Sequence, residues 1–263
     1  MKRNRIWLIA LLLTVAPGAM AALQTETVTY RDNGTEMKGY VAYDDSIEGK
    51  RPGVLVVHEW WGHNEYSRER ARMLAKEGYV AFALDMYGEG KTADHPDTAG
   101  KFAGEVRKNM DVAESRFLAA LEQLKNHPMT EADEIAAIGY CFGGGVVLEM
   151  ARRGIDIDGV ASFHGMLGTD SPASKGDVEA QIRVYTGEAD QMVKAEDVEA
   201  FKKEMDAADV DYKLTSYPGV KHGFTNPDAT GAGKKFGLPL AYDEAADKDS
   251  WADMLEFFEQ IFD

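Results

Sequence analysis

The sequence is poor in cysteine, in positive charge and in long apolar runs, and each shortage removes a class of protein. A single Cys in 263 residues excludes an internal disulfide framework and any multi-cysteine metal site. Lys plus Arg number 29 against 45 Asp plus Glu, a formal net charge of -16. That balance leaves no basic surface to displace counterions, which argues against nucleic acid and anionic membranes as partners. Phosphate-cradling glycine loops, dinucleotide fingerprints and clustered metal ligands are missing, so neither a cofactor nor a metal is implied. Internal repeats, low-complexity segments and linkers are missing too. What is present is 44% hydrophobic and 10% aromatic residues, the composition of a globular chain able to bury a sizeable core.

Lys2, Arg3 and Arg5 precede an apolar stretch from Ile6 to Ala16, and Ala19-Met20-Ala21 follows as a small-residue cleavage site. This is the layout of a secretory signal peptide. At about 11 residues the stretch falls short of the roughly 20 needed to span a bilayer, which disfavours an uncleaved anchor. Cleavage after Ala21 removes three positive and no negative charges, taking the net charge from -16 to -19. A bacterial signal of this kind sends the mature protein to the periplasm or, as second choice, to the medium, with no membrane contact after processing. The lone Cys then sits in an oxidising compartment without a partner in its own chain.

Residues 22–263 read as one domain. Two β-rich runs, Thr25 to Tyr30 and Met37 to Tyr43, flank Asp32-Asn33-Gly34 and predict an N-terminal hairpin. Beyond it, Val54 to Val57, Tyr79 to Leu84, Ile135 to Ile138, Gly159 to Phe163, Ile182 to Thr186 and Tyr212 to Tyr217 are short apolar strands. Helical periodicity falls between them: Tyr66 to Lys76, Lys101 to Asn126, Val146 to Arg153, a stretch with Val198, Phe201, Met205 and Ala208, and a last one from Trp251 to Phe262. Strands alternating with helices predict an open, mostly parallel sheet covered on both faces. Asn226 to Ala241, rich in Gly and Pro, reads as a long ordered loop.

Gly139-Tyr140-Cys141-Phe142-Gly143 lies between a strand and a helix and matches the nucleophile elbow G-x-S-x-G, with Cys for Ser. The bland reading is a core cysteine beside a glycine turn, since free Cys is among the most buried residue types. Two further residues favour the elbow. Asp190 follows the Ile182 strand and His222 follows the last strand, both just past carboxyl ends, where open α/β sheets build their sites. Singly, Asp190 could cap a helix and His222 could be a surface histidine. Together with Cys141 they run in the chain order nucleophile, acid, histidine of the α/β-hydrolase fold. The expected chemistry is thiol attack on an acyl carbonyl, with His222 moving protons and Asp190 orienting the imidazole. The oxyanion then needs two aimed donors, expected to be the backbone N–H groups of Phe142 and Trp60.

Along with these, His58-Glu59-Trp60-Trp61-Gly62, Leu84-Asp85-Met86-Tyr87-Gly88 and His222-Gly223-Phe224 occur in order over the whole mature chain. In these residues the sequence resembles the dienelactone hydrolase family, a Cys-His-Asp branch of the α/β-hydrolases. The resemblance implies hydrolysis of a small ester or lactone, a monomer, and a role for Glu59: contact with the resting thiol, keeping it neutral until substrate displaces the carboxylate. Such a contact would also spare the cysteine from oxidation. Trp61, Tyr87, His164, Phe224 and Asn226 are expected around the substrate pocket. The family's substrate carboxylate is held by arginines; Asn226 stands where one of them is expected, Arg107 lies in the region of the other, and Lys234 or Lys235 could substitute for either. His58 and His63 frame Glu59 as H-E-x-x-x-H, but at i and i+5 they do not face one way as a zinc-peptidase pair does. A thioesterase or acyltransferase using the same triad, and a non-catalytic binding or thiol-redox protein on the same scaffold, are the alternatives.

Overall fold

The computed structural model of the protein describes residues 23–262. The expected signal peptide, 1–21, lies outside the described residues. The chain forms β1 (Leu23–Asp32), β2 (Thr35–Asp44), β3 (Arg51–Val57), α1 (Glu65–Lys76), β4 (Val80–Leu84), α2 (Pro96–Arg107), α3 (Met110–Lys125), β5 (Thr130–Tyr140), α4 (Phe142–Arg152), β6 (Gly159–Phe163), β7 (Gln181–Gly187), α5 (Ala195–Ala208), β8 (Tyr212–Tyr217), α6 (Ala229–Phe236) and α7 (Glu244–Ile261). The strands make one eight-stranded sheet in the order β1-β2-β4-β3-β5-β6-β7-β8. Pairing is antiparallel from β1 to β2 and from β2 to β4, and parallel everywhere else. The mostly parallel sheet with an N-terminal hairpin is the α/β-hydrolase fold.

The continuous apolar runs follow from burial on both faces. Along β3, Leu55 and Val57 point into one core while Val54 and Val56 point into the other. The first core is closed by α2, α3, α4 and α5, through residues such as Phe117, Val147 and Phe201. The second is closed by α1 and α7, through Leu74, Met254 and Phe258. Each fully buried aliphatic side chain contributes roughly 1.5–3 kcal/mol of hydrophobic stabilisation, so these alternating strands fix which way every loop at the carboxyl edge leaves the sheet.

One expectation is corrected. The segment from Asn226 to Ala241 is not a loop throughout, because α6 occupies Ala229–Phe236 and ends at Gly237 in the left-handed conformation (φ 67°). Its glycines are the reason it looked irregular. A side chain at Gly233 would lie 2.6 Å from the Leu240 carbonyl, so glycine is required there for the chain to fold back past its own helix. Elsewhere, elements extend beyond their predicted cores: β5 begins at Thr130 and α4 begins at Phe142, directly after Cys141.

Candidate active site

Cys141 stands between β5 and α4 with φ 53° and ψ -111°, a conformation that costs a non-glycine residue about 1–3 kcal/mol. Its flanking glycines make the turn possible. A Cβ on Gly139 would come within 2.1 Å of the Gly143 carbonyl, and one on Gly143 within 2.3 Å of the Val57 carbonyl. The elbow is pinned by Cys141 N–H donating to the Phe163 carbonyl at 3.0 Å, and Cys141 is almost completely buried.

His222 reaches the same place from the loop after β8. Its Nδ1 lies 2.7 Å from Asp190 Oδ2, and both side chains are buried. Asp190 does not cap α5, whose N-cap is Lys194; its Oδ1 instead accepts from the N–H groups of Met192 and Val193 at 2.7 and 3.2 Å. Those bonds hold the carboxylate still for the imidazole. Burial opposes a charged His222, but its interactions with Cys141 and with Asp190 outweigh it and push the imidazole up to about 10. His222 Nε2 has no oxygen or nitrogen partner and is left for the sulfur. The histidine's backbone is held as well, by a bridge to Leu240 and by Ala241 N–H donating to the His222 carbonyl at 3.1 Å.

Cys141, His222 and Glu59 line one cavity of about 550 Å³, together with Trp60, Trp61, Asn226 and, from α6, Lys235 and Phe236. The adjacent Trp60 and Trp61 rings are inclined by 60°, Trp60 packing against the first core and Trp61 facing Phe236. Three residues expected around the pocket stand behind its wall. Tyr87 is buried against His58 and Phe142; His164 and Phe224 are fully buried beside His222 and Tyr217. Tyr87 and His164 follow the ends of β4 and β6, Phe224 lies in the loop after β8, and all three side chains are turned into the interior. His164 Nε2 is 2.8 Å from Thr225 Oγ1, which also meets Tyr66 Oη at 2.6 Å, and burial holds the imidazole well below its usual range.

Glu59 is held by Asn226, whose Nδ2 donates to Oε2 at 2.6 Å; no hydrogen bond joins Glu59 to Cys141. Burial raises the Glu59 carboxyl, partly offset by that hydrogen bond. Asn226 is therefore already committed, with its Oδ1 accepting from Asp228 N–H at 2.9 Å. The cations divide. Lys235 lines the cavity, whereas Arg107 lies over the far side of the Phe142 ring, 5.8 Å from its centre, in a separate cavity with Arg153 and Met166. His58 and His63 do not converge on a metal-sized gap: His58 uses both ring nitrogens in hydrogen bonds to protein backbone. Sequence reasoning missed the Glu59–Asn226 pair and the α6 wall; the signal for the first was the Asn itself, four residues past the histidine.

The arrangement is suited to acyl transfer. A sulfur at a helix N-terminus, an imidazole oriented by a buried carboxylate, and backbone N–H groups beside the sulfur can lodge, attack and stabilise a carbonyl. The comparisons agree with the geometry. The chain is 31% identical to Protein usf of Aquifex pyrophilus over 240 residues, 89% of this chain and 98% of that one. It superposes on a dienelactone hydrolase-like promiscuous phosphotriesterase from metagenomic libraries with a TM-score of 0.85 and 31% identity, covering 92% of this chain and all (100%) of the other. The structure of m3DLH gives a TM-score of 0.87 and 33% identity over the same 92% and 100% shares. Residues 37–262 match the model of the dienelactone hydrolase family, and the chain belongs to that family of α/β-hydrolases.

Proposed function

We propose that the protein is an exported hydrolase of small esters or lactones that works through a Cys141 acyl-enzyme. The observation that carries the reading is the pairing of a strained, elbow-mounted cysteine with an Asp190–His222 couple at 2.7 Å in one cavity. In the first half-reaction the Cys141 sulfur adds to the carbonyl carbon while His222 holds the proton that the thiol gives up. The oxyanion forms against the Phe142 and Trp60 N–H groups, neither of which donates to a backbone carbonyl outside regular elements. Collapse expels the alkoxide, which takes the proton from His222. Water, deprotonated by His222, then cleaves the thioester and restores the thiol.

The cavity favours an uncharged acyl group over a carboxylate-bearing one. Lys235 is the only lysine or arginine lining it among the described residues, against Glu59, Glu65, Asp94 and Asp228, and Asn226 is spent on Glu59. Export rests on the sequence of residues 1–21 and is tested by N-terminal sequencing of the processed protein from a periplasmic fraction, expected to begin at Ala22. The enzymatic test is hydrolysis of p-nitrophenyl acetate and of cis- and trans-dienelactone by the mature chain beside Cys141→Ala. Turnover of the neutral ester, abolished in the variant, is expected; turnover that survives Cys141→Ala rejects the nucleophile, and activity on the anionic lactones above that on the ester rejects the charge preference.

A further inference from the structure

The peptide expected to supply the Trp60 donor is held from behind by a chain of hydrogen bonds that starts on the neighbouring strand. Asp85, just past β4, is fully buried, and its carboxylate accepts from the N–H groups of Tyr87 (3.0 Å), Gly88 (2.8 Å), Gly90 (2.8 Å) and Lys38 (3.2 Å). That sets the loop after β4 rigidly and directs Met86 N–H to His58 Nε2 at 3.2 Å. An amide N–H can only donate, so Nε2 is the bare nitrogen of the ring and the proton sits on Nδ1. Nδ1 lies 2.6 Å from the Glu59 carbonyl oxygen and donates to it. Gly62 N–H donates to the same carbonyl at 3.1 Å.

In a trans peptide a carbonyl and the N–H that follows it point in opposite directions. Fixing the Glu59 carbonyl toward His58 therefore turns the Trp60 N–H the other way, on the residue that lines the cavity with Cys141. The next peptide is fixed too, by Tyr87 Oη–H donating to the Trp60 carbonyl at 3.0 Å. His58 cannot rotate freely, because its ring is stacked on Phe142 at 5.8 Å and met edge-on by Tyr87 at 4.7 Å. Phe142 is the residue of the other expected donor, and its ring is what keeps the imidazole in place.

We propose that His58, as its Nδ1–H tautomer, is a positioning residue that aims the Trp60 N–H at the developing oxyanion, and that the Tyr87 hydroxyl locks the peptide after it. The proposal deepens the hydrolase reading and rests on it. His58 touches neither substrate nor sulfur; it acts through one peptide plane. Its effect belongs to the transition state and not to substrate affinity or thiol reactivity.

Three variants test it: His58→Leu, which has neither donor nor acceptor, His58→Gln, which keeps one of each, and Tyr87→Phe. With p-nitrophenyl acetate, His58→Leu is expected to lose roughly 100-fold in kcat at nearly unchanged KM, the loss typical of one oxyanion donor. His58→Gln should recover most of it, and Tyr87→Phe should lose less, about tenfold. Alkylation of Cys141 by iodoacetamide, a displacement that forms no oxyanion, should keep its wild-type rate in all three. Affinity for a trifluoromethyl ketone, which adds the thiol as an oxyanion, should fall in parallel with kcat/KM. Wild-type kcat in His58→Leu, alkylation slowed as much as turnover, or no rescue by His58→Gln overturns the proposal. Should His58→Leu not fold, Tyr87→Phe and the ring 15N shifts of the wild-type protein decide it, an Nε2–H tautomer being fatal. Wild-type protein without Cys141-dependent turnover would instead refute the hydrolase reading itself.

Discussion

At His222 two opposing effects meet, and the pair of negative neighbours wins over burial. The imidazole is raised to about 10 from an ordinary value near 6.5, and Cys141 makes the largest contribution in that direction. Removing the sulfur should therefore lower it. In Cys141→Ala the His222 pKa, followed through its ring carbon and nitrogen shifts by NMR, is expected to fall by more than one unit; an unchanged value would mean that sulfur and imidazole do not interact. The sign for stability follows. A histidine raised on folding stabilises fully below about 6.5 and loses that contribution as pH rises through about 10, so Cys141→Ala should flatten the alkaline limb of the stability profile. The placement of residues was legible in the sequence wherever a spacing encoded it. Cys141, Asp190 and His222 each follow a recognisable strand. Asn226 was legible only as a missing arginine, because nothing in the chain order says that it meets Glu59, 167 residues away.

Among the elements, the elbow and the strands were readable because their physics is local. Apolar runs predict doubly buried strands, and paired glycines predict a sharp turn. The crowding at Gly143 makes a clean test. Gly143→Ala drives a methyl into the Val57 and His58 carbonyls at 2.3 and 2.7 Å, separating α4 from β3. It should cost roughly 1–3 kcal/mol, the penalty of overpacking, and disable the site by moving Cys141 from Trp60. Gly100 in α2 has open space, so Gly100→Ala should instead stabilise by about 0.5–1 kcal/mol. Urea titration of both variants checks the contrast; equal effects would show that close approach is not what the glycine provides. By comparison α6 was hidden, since Gly233 serves contacts with Leu238 and Leu240 that only the folded chain brings together. The His58 bonds were hidden too, because a strand-end histidine carries no mark of the backbone groups it will meet.

Over the whole molecule, the buried histidines set a response to acid. Burial depresses His58, His63 and His164, with His63 held at about 4. An unfolded chain protonates these rings near 6.5, so their contribution to stability is present above that pH and lost as pH falls toward 4. The thermal midpoint should drop over that interval, and His63→Phe should remove part of the slope; a profile flat from 6.5 to 4.5 would contradict the burial argument. The mostly parallel sheet, its hairpin and its two covered faces were readable at this scale, since strands alternating with helices demand them, whereas the strand order was not. The bridge from His222 to Leu240 has a further consequence. The stretch from the His222 loop through α6 leaves and returns at one spot, so it is a closed excursion whose length adds little strain to its anchors. The wall that α6 gives the cavity is thus a replaceable part. Descendants of this chain, natural or engineered, can lengthen, shorten or recolour it while the Asp190–His222 pair beneath keeps its alignment.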